Sequence, residues 1–253
     1  MEWVDYLKGN FKMSAAFPNI DLSALPPARC DAFQALASRR SVRAFCPDKP
    51  VERRVVEQIL ELAARAPSGT NTQPWKVRVV AGATRDRLCA RLLQAHENDE
   101  ADCEEEYHYY PEQWFEPYSS RRKQLGKALY AVAGVAKGDR VAMKHQLGRN
   151  YQFFGAPVGF LICIDRQLEV GSWLDLGTFL MGIMVAARGF GLHTCPQQAF
   201  ARFHRLIRAE LDIPQQEYVV CGMALGYEDV SAEVNRLATV REPVEAFATF
   251  QWD

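Results

Sequence analysis

Residues 66–77 read APSGTNTQPWKV and connect a predicted helix to a predicted strand. Two prolines, a glycine and several small polar side chains fall within this short span, a composition typical of a rigid, ordered turn. The hydroxyls, amides and exposed backbone of such a turn can hydrogen-bond a flat heteroaromatic ligand without steric bulk. Taken alone, the stretch is compatible with a plain polar connection between helix and strand or with one half of a ligand site.

The periodicity on either side of this loop predicts both helices and strands. Residues 51–66 place apolar and charged side chains on opposite helical faces, and residues 75–81 alternate as a half-buried strand. Two continuous apolar runs, 158–164 and 218–225, are typical of buried strands. Residues 189–198 read as a turn. Further helices are predicted at residues 29–39, 84–95 with Thr84 as the cap, 139–154, 173–190 and 200–211.

The predicted helix at 173–190 is apolar on nearly every side. Helices of this kind are buried, either centrally in a domain or at an obligate subunit interface. The apolar tail after residue 243 is also expected to pack on another surface, because an exposed arm so rich in aromatic residues would be costly.

With 253 residues, 48% of them hydrophobic and 24% charged, the chain has the composition of an ordinary globular protein. Its 30 basic and 31 acidic residues give a formal net charge of -1, so no overall field favours nucleic acid or an anionic membrane. The seven cysteines are dispersed and never spaced C-x-x-C, which argues against a disulfide framework or a structural zinc site and indicates a cytoplasmic location. No run approaches the ~18 apolar residues of a membrane span.

The predicted single domain spans residues 29–253, and two segments differ from its core: one precedes the domain and the other is an excursion within it. Residues 1–28 form an N-terminal arm or extension with a proline-punctuated end. Residues 97–137 pass from an acidic run through a group of aromatic residues to a basic cluster. This mixture suits a lid over a substrate better than a core, and a surface helical hairpin without a role is the alternative.

Three arginines fall within five residues at positions 39–43, beside the hydroxyls of Ser38 and Ser41. Guanidinium groups match phosphate oxygens bidentately, and serine hydroxyls supply further donors. The alternative is a solvated basic helix end that is favourable to the helix dipole.

Several common site motifs are absent from the sequence. There is no P-loop, no G-x-G-x-x-G after a predicted strand, no H-E-x-x-H and no G-x-S-x-G. The five histidines are far apart in sequence, so no metal site is predicted.

Four motifs occur together and in order: RRSVR at 39–43, PSGTNTQPW at 67–75, GL followed by PQQ at 191–198, and GY at 226–227 followed by R-x-P at 241–243. This combination resembles the FMN-dependent nitroreductase family, in particular its nitrobenzoate and dinitroaromatic reductases. The resemblance runs from about residue 33 to residue 250. It implies a three-layer α+β fold with a central, mostly antiparallel sheet flanked by helices, in an intertwined homodimer with two FMN sites at its interface.

The resemblance also implies which residues bind the cofactor. The phosphate, the ribityl chain and the pyrimidine edge of FMN would be held by Arg39, Arg40, Ser41 and Arg43. The phosphate clamp would be completed by Thr239 and Arg241. Thr239 stands where the best-known members often have lysine, so one cation is missing and Arg236 is a candidate substitute. The other subunit would contribute Pro67, Ser68, Gly69, Asn71 and Gln73. The isoalloxazine ring would lie along Pro196, Gln197 and Gln198, with a backbone N–H near N5.

The implied activity is a ping-pong reduction in which NADH or NADPH reduces FMN and a small nitroaromatic is then reduced through nitroso to hydroxylamine. No catalytic side chain is expected, because flavin N5 carries the chemistry. Substrate contacts are predicted at Trp114, Tyr118 and Arg122, where a basic residue could pair with a substrate carboxylate. Quinone or ene reduction, reductive dehalogenation and flavin breakdown on the same scaffold remain alternatives, as do a non-catalytic FMN-binding protein and a structural dimer without cofactor.

Overall fold

The computed structural model describes residues 25–100 and 105–252. A four-stranded sheet has the order β1-β2-β4-β3, and every neighbouring pair is antiparallel. The strands are β1 (Lys76–Ala81), β2 (Val158–Asp165), β3 (His193–Gln197) and β4 (Glu217–Gly226). The α-helices of the described residues are α1 (Ala32–Ser38), α2 (Arg53–Ala63), α3 (Gly82–Glu97), α4 (Tyr118–Val132), α5 (Arg140–Gly148), α6 (Val170–Gly189) and α7 (His204–Glu210).

The sheet separates two apolar clusters, because successive side chains of a strand point to opposite faces. In β2, Phe160, Ile162 and Ile164 lie on one face and Leu161 and Cys163 on the other, and all five are fully buried. Helices α2 and α6 cover the first face, and α3 and α7 cover the second. The structure therefore confirms the expected three-layer α+β arrangement around a central antiparallel sheet.

Helix α6 buries only one of its faces within the chain. Leu176, Phe179, Ile183 and Ala187, spaced by three or four residues, point into the core, whereas Leu174 on the opposite side is 74% exposed. With 20 residues and a mean hydropathy of 1.5 over its most apolar window, α6 is long and apolar enough to cross a membrane by length and composition alone. Asp175 and Arg188 interrupt it, so α6 is not a continuous apolar run of about 18 residues.

Four local predictions differ from the structure. Residues 189–198 include β3 rather than a turn alone, and Pro196 is tolerated there because β3 lies at the sheet edge. The predicted helix 139–154 is α-helical only over α5, and a 3₁₀ segment follows at Arg149–Gly155. The predicted helix 200–211 likewise begins as a 3₁₀ segment at Gln198–Phe203. Thr84 lies inside the first turn of α3 instead of capping it.

The two segments set apart by the sequence are described only in part. Residues 1–24 of the predicted arm and residues 101–104 of the predicted lid lie outside the described residues. Within the lid, α4 has no buried residue, whereas Tyr107 packs against Trp173 and Tyr218 beside the sheet. The excursion is therefore anchored at its base. The domain division and the lid function stay predictions.

Candidate functional site

The arginine-rich segment, residues 39–43, runs along the outer edge of strand β3. Ser41 forms a parallel bridge with Thr194 of β3, and the Val42 N–H donates to the Thr194 carbonyl at 3.1 Å. Phe45 forms an antiparallel bridge with Glu228, just after β4. These backbone contacts hold the segment in an extended conformation between β3 and the C-terminal stretch.

One buried amide fixes the same segment from the C-terminal side. Asn235 is 7% exposed, and its Oδ1 accepts from the Arg43 N–H at 2.8 Å. Its Nδ2 donates to the carbonyl of Ala44 at 2.8 Å and to that of Asp229 at 2.9 Å. Asn235 thus uses its carbonyl oxygen and both amide protons to join the arginine segment to the tail.

A charged network surrounds the start of β3. Arg40 Nη2 contacts Glu228 Oε1 at 2.5 Å, and Arg188 Nη1 donates to His193 Nε2 at 2.8 Å. Accepting that bond requires an unprotonated Nε2, so the 3.4 Å contact between His193 and Glu228 is not an ion pair. Burial, reinforced by Arg188 and Arg40, lowers the pKa of His193 to about 4. His193 is therefore neutral at physiological pH.

Several buried polar atoms of this region have no hydrogen-bond partner within the described part of the chain. They are Arg39 Nε, Arg40 Nη1, His193 Nδ1 and Gln197 Oε1. Buried donors and acceptors are nearly always paired in folded proteins. Three of these four residues are ones that the sequence assigned to FMN, and unpaired guanidinium donors fit an anionic group such as its phosphate.

The loop at residues 66–77 is ordered by its own polar groups. Ser68 Oγ accepts from the Gln73 N–H at 3.0 Å, and Gln73 Nε2 donates to the Asn71 carbonyl at 3.2 Å. Thr70, Asn71 and Gln73 all have positive φ angles, of 50°, 59° and 49°. Such conformations are strained for residues other than glycine and cluster at ligand-binding segments.

The loop and the arginine segment contact α6 at separate points. The loop reaches α6 where Gly69 N–H donates to Asp175 Oδ2 at 3.1 Å and Thr178 Oγ1 lies 3.0 Å from the Pro67 carbonyl. Arg188, at the other end of the helix, donates to Ser38 Oγ at 3.1 Å, next to the arginine segment. Thr178 and Arg188 are separated by about 15 Å of helix rise. The two predicted halves of the site therefore contact α6 about three helical turns apart.

The predicted ring-binding turn is built at the end of β3. Pro196 is exposed, while Gln197 is buried and its Nε2 donates to the Asn150 carbonyl at 2.7 Å. Gln198 Nε2 donates to Tyr107 Oη at 2.7 Å. The two glutamine side chains are thus held by different parts of the chain.

The predicted phosphate clamp in the tail is solvent-accessible. Arg241 Nη1 donates to Thr239 Oγ1 at 2.7 Å, and both residues are exposed. Arg236, the candidate substitute cation, instead pairs with Glu233 at 2.9 Å. Arg241 is consequently the better placed of the two cations to meet a ligand.

The three residues predicted to contact substrate lie on one surface at the start of α4. The Arg122 guanidinium lies over the Trp114 ring at 4.9 Å, and Arg121 lies over Tyr118 at 5.6 Å. Arg121 also pairs with Glu242 at 3.0 Å, which connects this surface to the tail beside Arg241. The structure therefore brings the predicted substrate residues together.

Four residues of the site were missed by sequence reasoning: Tyr107, His193, Glu228 and Asn235. Within the sequence, only Asn235 had a signal, since it stands with Arg236 between the apolar Val234 and Leu237. A cavity of about 970 Å³ elsewhere, which includes Glu106, Arg166 and Arg208 in its lining, contains none of the predicted cofactor residues.

Comparison with known proteins gives concordant matches. The Nitroreductase family model matches residues 36–227. The chain is 41% identical over 221 residues to the 4-nitrobenzoate reductase of Pseudomonas putida, covering 87% of this chain and 96% of the relative. It is 39% identical to the chloronitrobenzene nitroreductase of Comamonas testosteroni, covering 85% and 94%.

A solved structure agrees with these relatives. It is that of the FMN-dependent nitroreductase NfnB from Mycobacterium smegmatis in complex with NADPH, which is 31% identical, with a TM-score of 0.83. The match covers 87% of this chain and 98% of that one. The family model, the relatives and the fold agree, and the chain belongs to the nitroreductase family.

Proposed function

We propose that this protein is an FMN-dependent NAD(P)H oxidoreductase that reduces nitroaromatic compounds to their nitroso and hydroxylamine products. The observation that carries the proposal is the set of unpaired buried polar atoms on Arg39, Arg40 and Gln197, residues that the sequence motifs assign to FMN. FMN, when bound, supplies the hydride acceptor and donor for a ping-pong reaction. The chain's own residues bind, orient and shield the reactants.

The phosphate end of the site is assigned to the arginine segment and the tail. Arg39, Arg40 and Ser41 are fixed along β3, and Arg241 is available from the tail. Glu228 holds one side of the Arg40 guanidinium and leaves Nη1 for the ligand. Charge-assisted hydrogen bonds of this kind are the stronger ones in proteins.

The ring end of the site is assigned to Gln197 and Gln198 of one subunit, with the loop at residues 66–77 supplied by the partner. Two features favour a homodimer. The outward face of α6 is apolar, and the tail exposes Val244, Phe247, Phe250 and Trp252 to between 48% and 87%. Burying these side chains against a second copy would remove a large apolar area from water. The separation of the two contact points along α6 agrees with such a shared site.

The substrate end is assigned to Trp114, Tyr118 and Arg122. The aromatic rings can stack on an electron-poor arene, and Arg122 can pair with a ring carboxylate. The name of the Pseudomonas putida relative, a 4-nitrobenzoate reductase, supports a substrate of that chemistry. The dispersed cysteines support the cytoplasm as the location.

The proposal is tested with FMN-loaded protein and either NADH or NADPH, aerobically and anaerobically. Nitrobenzene, 4-nitrobenzoate, a quinone and iodotyrosine are offered separately, and the products are identified. We expect hydroxylamine formation from the nitroarenes to exceed turnover of the other two. Preferred quinone reduction or deiodination would assign the scaffold to those reactions. A yellow protein that NAD(P)H never reduces would make it a binding protein, and a colourless protein that takes up no FMN would make it a structural dimer.

A further inference from the structure

We propose that Tyr107 is a positioning residue that sets the orientation of the Gln198 amide in the ring-binding turn. The inference rests on the proposed function, because only the family assignment places this turn at FMN. Tyr107 lies in the segment predicted to be a lid, and the sequence motifs assign it no role in cofactor binding.

A β-bulge in β4 creates the anchor for the Tyr107 hydroxyl. Cys163 of β2 pairs with Val219, and Ile162 pairs with Cys221, so the register skips Val220. A bulged residue is left outside the regular ladder of hydrogen bonds. The carbonyl of Val220 accepts a short hydrogen bond from Tyr107 Oη. The hydroxyl therefore donates to the Val220 carbonyl, which lies outside the regular strand pairing.

The direction of each hydrogen bond follows from the number of protons available. A carbonyl oxygen can only accept, so the single hydroxyl proton of Tyr107 is committed to Val220. The Tyr107 oxygen can then only accept from Gln198, at 2.7 Å, which requires the amide to present its Nε2. Gln198 Oε1 is thereby turned away from Tyr107. The turn accordingly offers the Oε1 acceptor, together with the second N–H of the amide, in an orientation that Tyr107 determines.

The Tyr107 ring is itself held firmly. It packs against Trp173 with ring centroids 4.6 Å apart and against Tyr218 at 6.2 Å. The preceding residue, Glu106, is ion-paired with Arg166 and lies 3.2 Å from Arg208. Burial raises the pKa of Tyr107, so the hydroxyl keeps its proton across the working pH range. A fixed, protonated phenol can impose one orientation on a neighbouring amide.

The test removes the hydroxyl and follows FMN binding. For Tyr107→Phe we expect the FMN dissociation constant, measured by flavin fluorescence, to rise about two- to tenfold, the range that one neutral hydrogen bond gives. The reduction midpoint potential of bound FMN should also change. Tyr218→Phe is the matched control, because it removes a neighbouring hydroxyl and keeps its ring against Tyr107; its FMN dissociation constant should stay within about twofold of the wild type.

A double-mutant cycle separates positioning from a structural effect. In a Gln198→Leu background, Tyr107→Phe should cause no further change in FMN affinity or midpoint potential, because the amide it orients is gone. Equal losses in both backgrounds would overturn the proposal, and so would wild-type values for Tyr107→Phe. Either result leaves the proposed function standing if the wild-type protein binds FMN and turns over nitroarenes. Failure of the wild type to bind FMN would remove both.

Wild-type protein provides a measurement that does not depend on the folding of Tyr107→Phe. In protein labelled with ¹⁵N-glutamine, the side-chain NH₂ of Gln198 is identified by its loss in Gln198→Leu. We expect slow hydrogen exchange for this group, because Tyr107 accepts from it. Exchange as fast as that of an exposed glutamine would refute the assigned orientation.

Discussion

Replacing Asn235 tests whether one buried amide holds the cofactor segment in place. Asn235→Ala removes the hydrogen bonds to the backbone of Arg43, Ala44 and Asp229. At about 0.5–1.5 kcal/mol for each lost neutral bond, the three together predict a loss of about 1.5–4.5 kcal/mol in the free energy of unfolding. The side chain is 7% exposed, so water can restore few of these contacts.

The loss is measured by urea unfolding of the wild type and the variant without added FMN. Asn98→Ala is the control, because Asn98 is exposed at the end of α3 and a surface substitution should change stability by no more than about 0.5 kcal/mol. FMN affinity should also fall for Asn235→Ala, since the same amide fixes the Arg43 backbone. A loss below about 0.5 kcal/mol with unchanged FMN affinity would refute the reasoning.

Three further outcomes are expected. Lowering the pH from about 7 to about 5 should destabilise the wild type more than the His193→Gln variant, by about 1–2 kcal/mol after allowance for partial solvent screening. The reason is that His193 binds a proton near pH 6.5 in the unfolded chain and only near pH 4 in the folded chain. Urea unfolding at both pH values checks this, and equal losses would contradict it. Arg241→Ala should weaken FMN binding by about 1.5–3 kcal/mol, with a smaller effect for Arg236→Ala, whose cation is paired with Glu233. Retention of FMN during dialysis of both variants distinguishes these outcomes. Truncation after Arg241 should weaken the dimer, and an unaltered sedimentation profile would count against a role for the tail in pairing.

Local patterns in the sequence predicted the centre of the fold. The strands at 158–164 and 218–225 were visible because both faces are covered, so their apolar runs are unbroken. The edge strand β3 was missed because it is short, mixes polar and apolar residues and contains Pro196. Likewise, the burial of Tyr107 was hidden by its acidic and aromatic neighbours, which suggested a solvent-facing lid.

The sequence motifs indicated individual residues of the site, but not the contacts between residues that are distant in sequence. The motifs indicated Arg40 and its neighbours, and their role in FMN binding stays a prediction. The contact of Arg40 with Glu228 spans 188 residues of sequence, and that of Arg43 with Asn235 spans 192. Periodicity reports only on neighbours within a few turns or strand residues, so such contacts leave no local pattern.

In the homodimer proposed above, the spacing of the two contact points along α6 would make cofactor retention depend on mass action. If each FMN needs groups from two chains, pairing raises FMN affinity, and FMN raises the affinity of the chains for each other by the same factor. Diluting the purified protein would then release flavin, and excess FMN would keep the chains together at dilution. In the cell, the supply of flavin would set how much of the protein is assembled.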